Sequence, residues 1–156
     1  MTDIGETALL GADDVILSKD EKKKQFGEVF TPPELVNEIL DKLPAEIWSD
    51  PTKTWLDNSC GAGAFLVEVK HRLMQGLTEW EPDAQKREAH ILENQIFGVE
   101  LQADNWRTCR QRLGLTATGN DGNIVCADGL TYNYSFAKTE SGYRIADNTF
   151  EDLFQF

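Results

Sequence analysis

The feature that most constrains the fold is an alternation between short apolar segments and longer segments with helical spacing. Three apolar segments have the length of strands: "KTWLDNS" (53–59), "IFGVEL" (96–101) and "IVCADGL" (124–130). The segments between them predict helices at 61–76, 81–95 and 102–115, the last beginning at Asp104 or Asn105. Because parallel strands need helix-length connections, this order predicts an α/β fold with a parallel sheet.

A further helix is predicted before the first strand. In "TPPELVNEILDKLP", Thr31 is a candidate cap and proline suits the first turn, where a backbone N–H has no partner. Apolar residues then recur at helical spacing as far as Leu43, and Pro44 ends the run.

The chain divides into one domain and two flanking segments. At 156 residues it is long enough for one domain with its own core. Residues 1–24 are polar and are expected to form a flexible arm, with the domain at 25–131. In the tail, 132–156, aromatic residues alternate in a way that suggests a hairpin or an edge strand, and a Phe-rich peptide ends the chain.

Charge and composition exclude several functions. The formal net charge of −12 argues against a chain that grips a phosphate backbone alone, and it suits a small ligand or a basic protein partner. The three cysteines lack metal-ligand spacing, so we expect reduced thiols and no metal site. No apolar run approaches the ~20 residues of a membrane span, and the N-terminus lacks a secretory pattern. We therefore expect a cytoplasmic protein with no membrane partner.

The ends of the three predicted strands carry the residues with chemical potential. Gly61 and Gly63 follow the first strand and would let backbone N–H groups approach a ligand. The segment is neither the dinucleotide GxGxxG nor a P-loop. Glu100 ends the second strand, where an acid can accept both hydroxyls of a ribose. Asp128 follows the third and could accept a hydrogen bond from an exocyclic amine, so the set suits an adenosine.

These segments resemble the S-adenosylmethionine-binding half of the adenine-N6 DNA methyltransferases of bacterial restriction-modification systems and phages. "DNSCGAGAFL" resembles their Asp-Pro-Ala-Cys-Gly-Ser-Gly-x-Phe-Leu signature, with departures at Asn58, Ser59 and Ala62. "GEVFTPPELV" resembles their motif before the first strand, while "IFGVEL" and "CADGL" resemble their ribose and adenine strands. The resemblance covers roughly residues 26–131 and implies a Rossmann-like methyltransferase fold with a truncated sheet.

The resemblance also implies the binding residues for S-adenosylmethionine. At the methionine end and in the loop at 58–63 after the first strand, called the glycine loop below, they are Phe30, Thr31, Pro32, Asp57, Ser59, Gly61 and Gly63. Around the ribose and adenine they are Glu100, Leu101, Asp128, Gly129 and Leu130.

The family's catalytic motif, Asp/Asn-Pro-Pro-Tyr/Phe, is not found in this sequence, so no catalytic residue is assigned. We therefore expect a cofactor-binding domain that needs another chain for catalysis and DNA recognition. A protein partner or a second copy would cover the exposed sheet edge.

One alternative is a non-catalytic, phage-type regulatory or assembly protein whose peptide Phe150–Phe156 docks a partner such as a sliding clamp. Another, that the sequence belongs to a longer protein, stays open. The cytoplasm would be that of a bacterial host if a phage encodes the chain.

Overall fold

The structure is a computed structural model that describes residues 30–137. In chain order its main elements are α1 (Pro33–Leu40), β1 (Trp55–Asp57), α2 (Ala64–Gly76), α3 (Ala84–His90), β2 (Ile96–Glu100), α4 (Ala103–Arg112) and β3 (Ile124–Cys126). A 3-10 helix at Ala45–Ser49 follows α1, and a π-helical turn at Ile91–Gln95 joins α3 to β2. The predicted order of strands and helices is confirmed.

The strands form a parallel sheet in the order β1-β2-β3. In register, Asp57 lies beside Gly98, and Glu100 lies beside Cys126. Because all strands run the same way, their carboxyl ends meet at one edge. The α/β class with a parallel sheet is therefore confirmed.

One face of the sheet is covered by the described helices. Side chains alternate between faces along a strand, and Ile96 and Ile124 point to this face. They join a buried core to which α1, α2, the π-helical turn and α4 contribute, with the residues Val36, Leu40, Leu66, Val69, Leu73, Leu77, Ile91, Leu92, Cys109 and Leu113. This packing fixes the helices relative to the strand ends.

The opposite face is covered by the segment after β3. Val99 and Val125 are neighbours in register and pack against the buried ring of Tyr132. Tyr134 and Phe136 pack against the same group, with ring centroids 5.4 Å from that of Tyr132. A short aromatic segment thus takes the place that a helix has in a sheet covered on both faces.

β1 lies at the edge of the described sheet, and its part of the second face is open. Leu56 is in register with Phe97, so both side chains point to this face. The rings of Phe97 and Phe136 pack edge to face with their centroids 5.0 Å apart, whereas Leu56 is 55% exposed. Within residues 30–137, the outer side of β1 pairs with no other strand.

The ends of α1 and α4 differ from those predicted. Pro32 is the N-cap of α1 and no side chain caps the helix, so Thr31 does not have the capping role expected of it. The helix ends at Leu40 rather than near Leu43. α4 begins at Ala103, after Gln102 as N-cap, and not at Asp104 or Asn105.

The helix predicted at 81–95 is shorter at its start and irregular at its end. Asp83 caps α3 through Oδ1, which accepts from the N–H groups of Gln85 at 2.9 Å and Lys86 at 3.1 Å. After His90 the chain widens into the π-helical turn. There the buried Gln95 donates from Nε2 to the carbonyls of Asp50 and Lys53, which anchors the segment before β1.

Residues 132–137 form no strand, although the alternating aromatic residues suggested one. Tyr134 and Phe136 have φ angles of +54° and +47°, in the left-handed region that interrupts an extended chain. The Phe136 N–H donates to the hydroxyl of Tyr132 at 2.8 Å. The rest of the suggested hairpin, the peptide Phe150–Phe156 and the arm at 1–24 lie outside the described residues.

Gly98→Ala tests the packing between β2 and the helical face. A Cβ at Gly98 would lie 2.8 Å from Leu66 Cδ1 and 3.0 Å from Ile124 Cδ1. Because both contacts are too close, we expect a loss of about 1–3 kcal/mol in the free energy of unfolding. Chemical denaturation measures it. Ile124→Val removes one of the crowded atoms, so the double variant should lose less than the sum of the single losses, and strict additivity would contradict this account.

Candidate functional site

A cavity of about 1100 Å³ opens at the carboxyl edge of the sheet, where ligands bind in open α/β folds. Every site residue selected from the sequence lines it except Gly63: Phe30, Thr31, Pro32, Asp57, Ser59, Gly61, Glu100, Leu101, Asp128, Gly129 and Leu130. The structure therefore brings together residues from four separate parts of the chain.

The two glycines after β1 differ in their surroundings. Gly61 has a φ of +54°, and an added Cβ would meet nothing within 4 Å. Gly63 has a φ of +87°, but its Cβ would lie 2.8 Å from Cys109 Sγ. Gly61 therefore faces open space in the cavity wall, whereas Gly63 permits close packing between the start of α2 and α4. This contact explains why Gly63 lies outside the cavity.

Glu100 is buried at the end of β2, with 6% of its surface exposed. Its Oε2 accepts from the Gly61 N–H at 2.8 Å, and its Oε1 accepts from the Gln102 N–H at 2.9 Å. The carboxylate thus joins the glycine loop to the start of α4. Each carboxylate oxygen can accept more than one hydrogen bond, so acceptor capacity remains for a ligand.

Asp57 lines the cavity at the end of β1. Burial raises the pKa of its carboxyl group, and a hydrogen bond from the Ser59 N–H, 3.1 Å from Oδ1, partly offsets that effect. A carboxylate held in this way attracts a cationic group that enters the cavity, because the low local dielectric strengthens the interaction.

Asp128 begins a tight turn after β3. Its Oδ1 accepts from the Leu130 N–H at 2.9 Å, and its carbonyl accepts from the N–H groups of Thr131 and Tyr132. Gly129 lies against the loop after β1, since an added Cβ would be 2.4 Å from the Asn58 carbonyl oxygen. A larger residue at 129 would push the two loops apart.

The cavity also has apolar surfaces. Leu101 and Leu130 are 56% and 77% exposed, and both lie beside the acids at the ends of β2 and β3. Phe30, 40% exposed, lies in the wall formed by the start of α1. Exposed apolar side chains beside carboxylates suit a ligand that combines a flat ring with polar groups.

Sequence reasoning missed several residues of the wall, among them Glu68 and Arg112. Arg112 is the only cation among the described residues that line the cavity, and its Nη1 donates to the Ala62 carbonyl at 2.8 Å. Both residues belong to helices rather than strand ends. Their position depends on how α2 and α4 pack, and no local pattern in the sequence indicated it.

Cys60 is not suited to nucleophilic chemistry. The residue is 5% exposed, and a hydrogen bond with the Cys109 thiol, together with burial, raises the pKa of its thiol well above the usual range. A thiol that stays protonated is a poor nucleophile. We interpret Cys60 as a packing residue beneath the glycine loop.

The chain matches the family model of N-6 DNA methylases over residues 13–153, and it therefore belongs to the N-6 DNA methylase family. An uncharacterized adenine-specific methylase of Mycoplasma pneumoniae is 31% identical over an alignment of 126 residues that covers 75% of this chain and 30% of that protein. The family resemblance seen in the sequence is confirmed.

A solved structure from Vibrio vulnificus, assigned as the modification subunit of a type I restriction enzyme, is 22% identical with a TM-score of 0.46. The match covers 73% of this chain and 22% of that one. This chain therefore spans less than a third of the length of either relative.

Two further features concern only the part of the chain that the structure describes. No group of three or more His, Cys, Asp or Glu side chains in residues 30–137 is arranged to hold a metal ion. No helix in that range has the length and apolar character to cross a membrane.

Proposed function

We propose that this chain binds S-adenosylmethionine as the cofactor-binding part of an adenine-N6 DNA methyltransferase, and that another chain supplies catalysis and DNA recognition. One observation carries the proposal. A single cavity at the carboxyl edge of a parallel sheet joins Gly61, Glu100 and Asp128 in a member of the N-6 DNA methylase family. The cofactor, when bound, supplies the methyl group that is transferred.

The residues at the ends of β2 and β3 suit the adenosine half of the cofactor. The Glu100 carboxylate keeps acceptor capacity for the two ribose hydroxyls. Asp128 can accept from the exocyclic amine of adenine. Leu101 and Leu130, both exposed in the cavity lining, offer apolar surface to the ring. The chemistry of this set, acids beside leucines, fits an adenosine better than it fits a polyphosphate, which would need more cations.

The residues near β1 and α1 suit the methionine half. Its ammonium and sulfonium groups are positive, and Asp57 lies in the same cavity as Glu100 and Asp128. Phe30, Thr31, Pro32 and Ser59 line the adjoining wall. We assign Asp57 to the ammonium group, because Glu100 and Asp128 are assigned to the ribose hydroxyls and the adenine amine, and Asp57 is the remaining acid of these three in the cavity.

Three properties of the chain support the need for another chain. The sequence has no Asp/Asn-Pro-Pro-Tyr/Phe motif, and its 27 acidic residues outnumber its 15 basic residues. Among residues 30–137 the outer side of β1 pairs with no strand and Leu56 is exposed, so a further strand could pair there and bury apolar area. A different chain and a second copy are both compatible with this surface.

Calorimetric titration with S-adenosylmethionine tests the cofactor assignment. We expect saturable binding by the wild type and a loss of about 10- to 100-fold in affinity for Asp128→Ala, the usual effect of removing a charged hydrogen-bond acceptor. Glu46→Ala is the matched control, because Glu46 is exposed and lies outside the cavity lining. Absence of binding by the wild type would remove the cofactor assignment.

The affinity for S-adenosylmethionine should depend on pH through Asp57. Burial raises the pKa of Asp57, and only the ionised carboxylate attracts the ammonium group. Affinity is therefore complete above the raised pKa and falls as pH is lowered through it. Asp57→Asn should bind more weakly at neutral pH and lose this dependence, whereas an unchanged pH profile in the variant would assign the effect to another group.

A labelled-methyl assay tests the division of labour between chains. We expect the purified chain to transfer no methyl group to DNA, although it binds the cofactor. Sedimentation of the same sample distinguishes a second copy, seen as a dimer, from a different chain, for which the protein would be a monomer. Strong methyl transfer by the isolated chain would contradict the proposal. Cofactor binding without activity in any reconstituted complex would favour the regulatory alternative.

A further inference from the structure

The glycine loop after β1 is fixed at two of its peptide groups by side chains from distant parts of the chain. The Gly61 N–H donates to Glu100, and the Ala62 carbonyl accepts from Arg112. Within the loop, the Gly63 N–H donates to the Cys60 carbonyl at 2.8 Å, and the Cys60 N–H ties the loop to β2 by donating to the Val99 carbonyl at 3.0 Å. The Glu100 contact differs from the others because its acceptor is a buried charge that also lines the cavity.

The strand register explains why Glu100 reaches this loop. Asp57 lies beside Gly98, so Glu100 extends two residues beyond the last paired residue of β1. That offset is roughly 6–7 Å along the strand. It places the carboxylate level with the loop instead of the strand, where Oε2 meets the Gly61 N–H while Oε1 is held by Gln102.

We propose that Glu100 is a positioning residue for the glycine loop, and that it holds Gly61 in its left-handed conformation before any ligand arrives. The effect on ligand binding rests on the proposed function, in which Glu100 accepts from the ribose hydroxyls. The inference adds a second role for the same carboxylate. The carboxylate joins the two roles physically. Two of its acceptor positions hold the backbone, and the remaining capacity serves the ligand.

A loop that is ordered before binding loses less conformational entropy when the ligand binds, and this raises the affinity. Loss of the Glu100 carboxylate should therefore weaken binding even of a ligand that has no hydroxyls for it to bind. A role confined to the ribose makes the opposite prediction, since such a ligand would bind equally to the wild type and to the variant.

The first experiment needs no ligand. Amide hydrogen exchange, followed by nuclear magnetic resonance on the full chain, should show the Gly61 N–H protected in the wild type. In Glu100→Gln the side-chain amide can accept from only one of the two backbone N–H groups, so we expect at least a tenfold loss of protection at Gly61 or Gln102. Glu46→Ala, the matched control, removes an exposed acid outside the cavity lining and should leave Gly61 unchanged.

The second experiment compares two ligands, S-adenosylhomocysteine and its 2′,3′-dideoxy analogue, on the wild type and on Glu100→Gln. We expect the variant to bind the dideoxy analogue about tenfold more weakly than the wild type does. Equal affinity of both proteins for the analogue would overturn the positioning role while leaving the proposed function intact. Failure of the wild type to bind either ligand would instead contradict the proposed function, and the exchange measurement would still decide the positioning role.

Glu100→Asp provides a second variant if Glu100→Gln fails to fold. It keeps the charge but is one methylene shorter, so it cannot span from Gly61 to Gln102, and we expect partial loss of protection. The wild type alone also tests the proposal. A Gly61 amide that exchanges at the rate of an unprotected peptide would overturn it.

Discussion

The parallel pairing of β1, β2 and β3 is the constraint on which the site depends. It brings Asp57, Glu100 and the turn at Asp128 to one edge, although long helical connections separate them in sequence. The register matters as much as the direction. Because Glu100 extends past the end of β1, its carboxylate meets the backbone of the glycine loop and not a neighbouring strand. A shift of one residue in the pairing register of β2 would turn that carboxylate to the other face of the sheet and remove it from the cavity wall.

The parts of the fold that sequence could predict are those governed by local pattern. Apolar runs indicated the strands. Because residues at the carboxyl ends of parallel strands share one edge of the sheet, the sequence alone could place Glu100 and Asp128 at the same edge. The two glycines show the limit of this reasoning. Both have positive φ angles, but only the contact with Cys109 assigns Gly63 to helix packing and leaves Gly61 for the cavity. That contact depends on the packing of α2 against α4, which spacing along the chain does not specify.

The aromatic segment at 132–136 shows how tertiary packing overrides local preference. Its alternation is the pattern of a strand, but Tyr134 and Phe136 take left-handed backbone conformations that a strand excludes. These conformations are unfavourable for residues with a Cβ. They let all three rings pack over Val99 and Val125, and the gain from covering that apolar face offsets the backbone cost. The alternation therefore correctly predicts that the aromatic rings pack against the sheet, but it wrongly predicts an extended backbone.

In the part of the chain that the structure describes, the side of β1 without a neighbouring strand is related to the cavity by the geometry of the sheet. A strand added there in parallel would bury Leu56 and would end beside Asp57, because parallel strands share their carboxyl edge. Residues that follow such a strand would border the wall formed by Phe30 and the glycine loop. A chain that added such a strand would thus be able to place its own side chains against a ligand in the cavity. This relation follows from the strand direction alone. It places an added strand next to the cavity without requiring any change in the cavity itself.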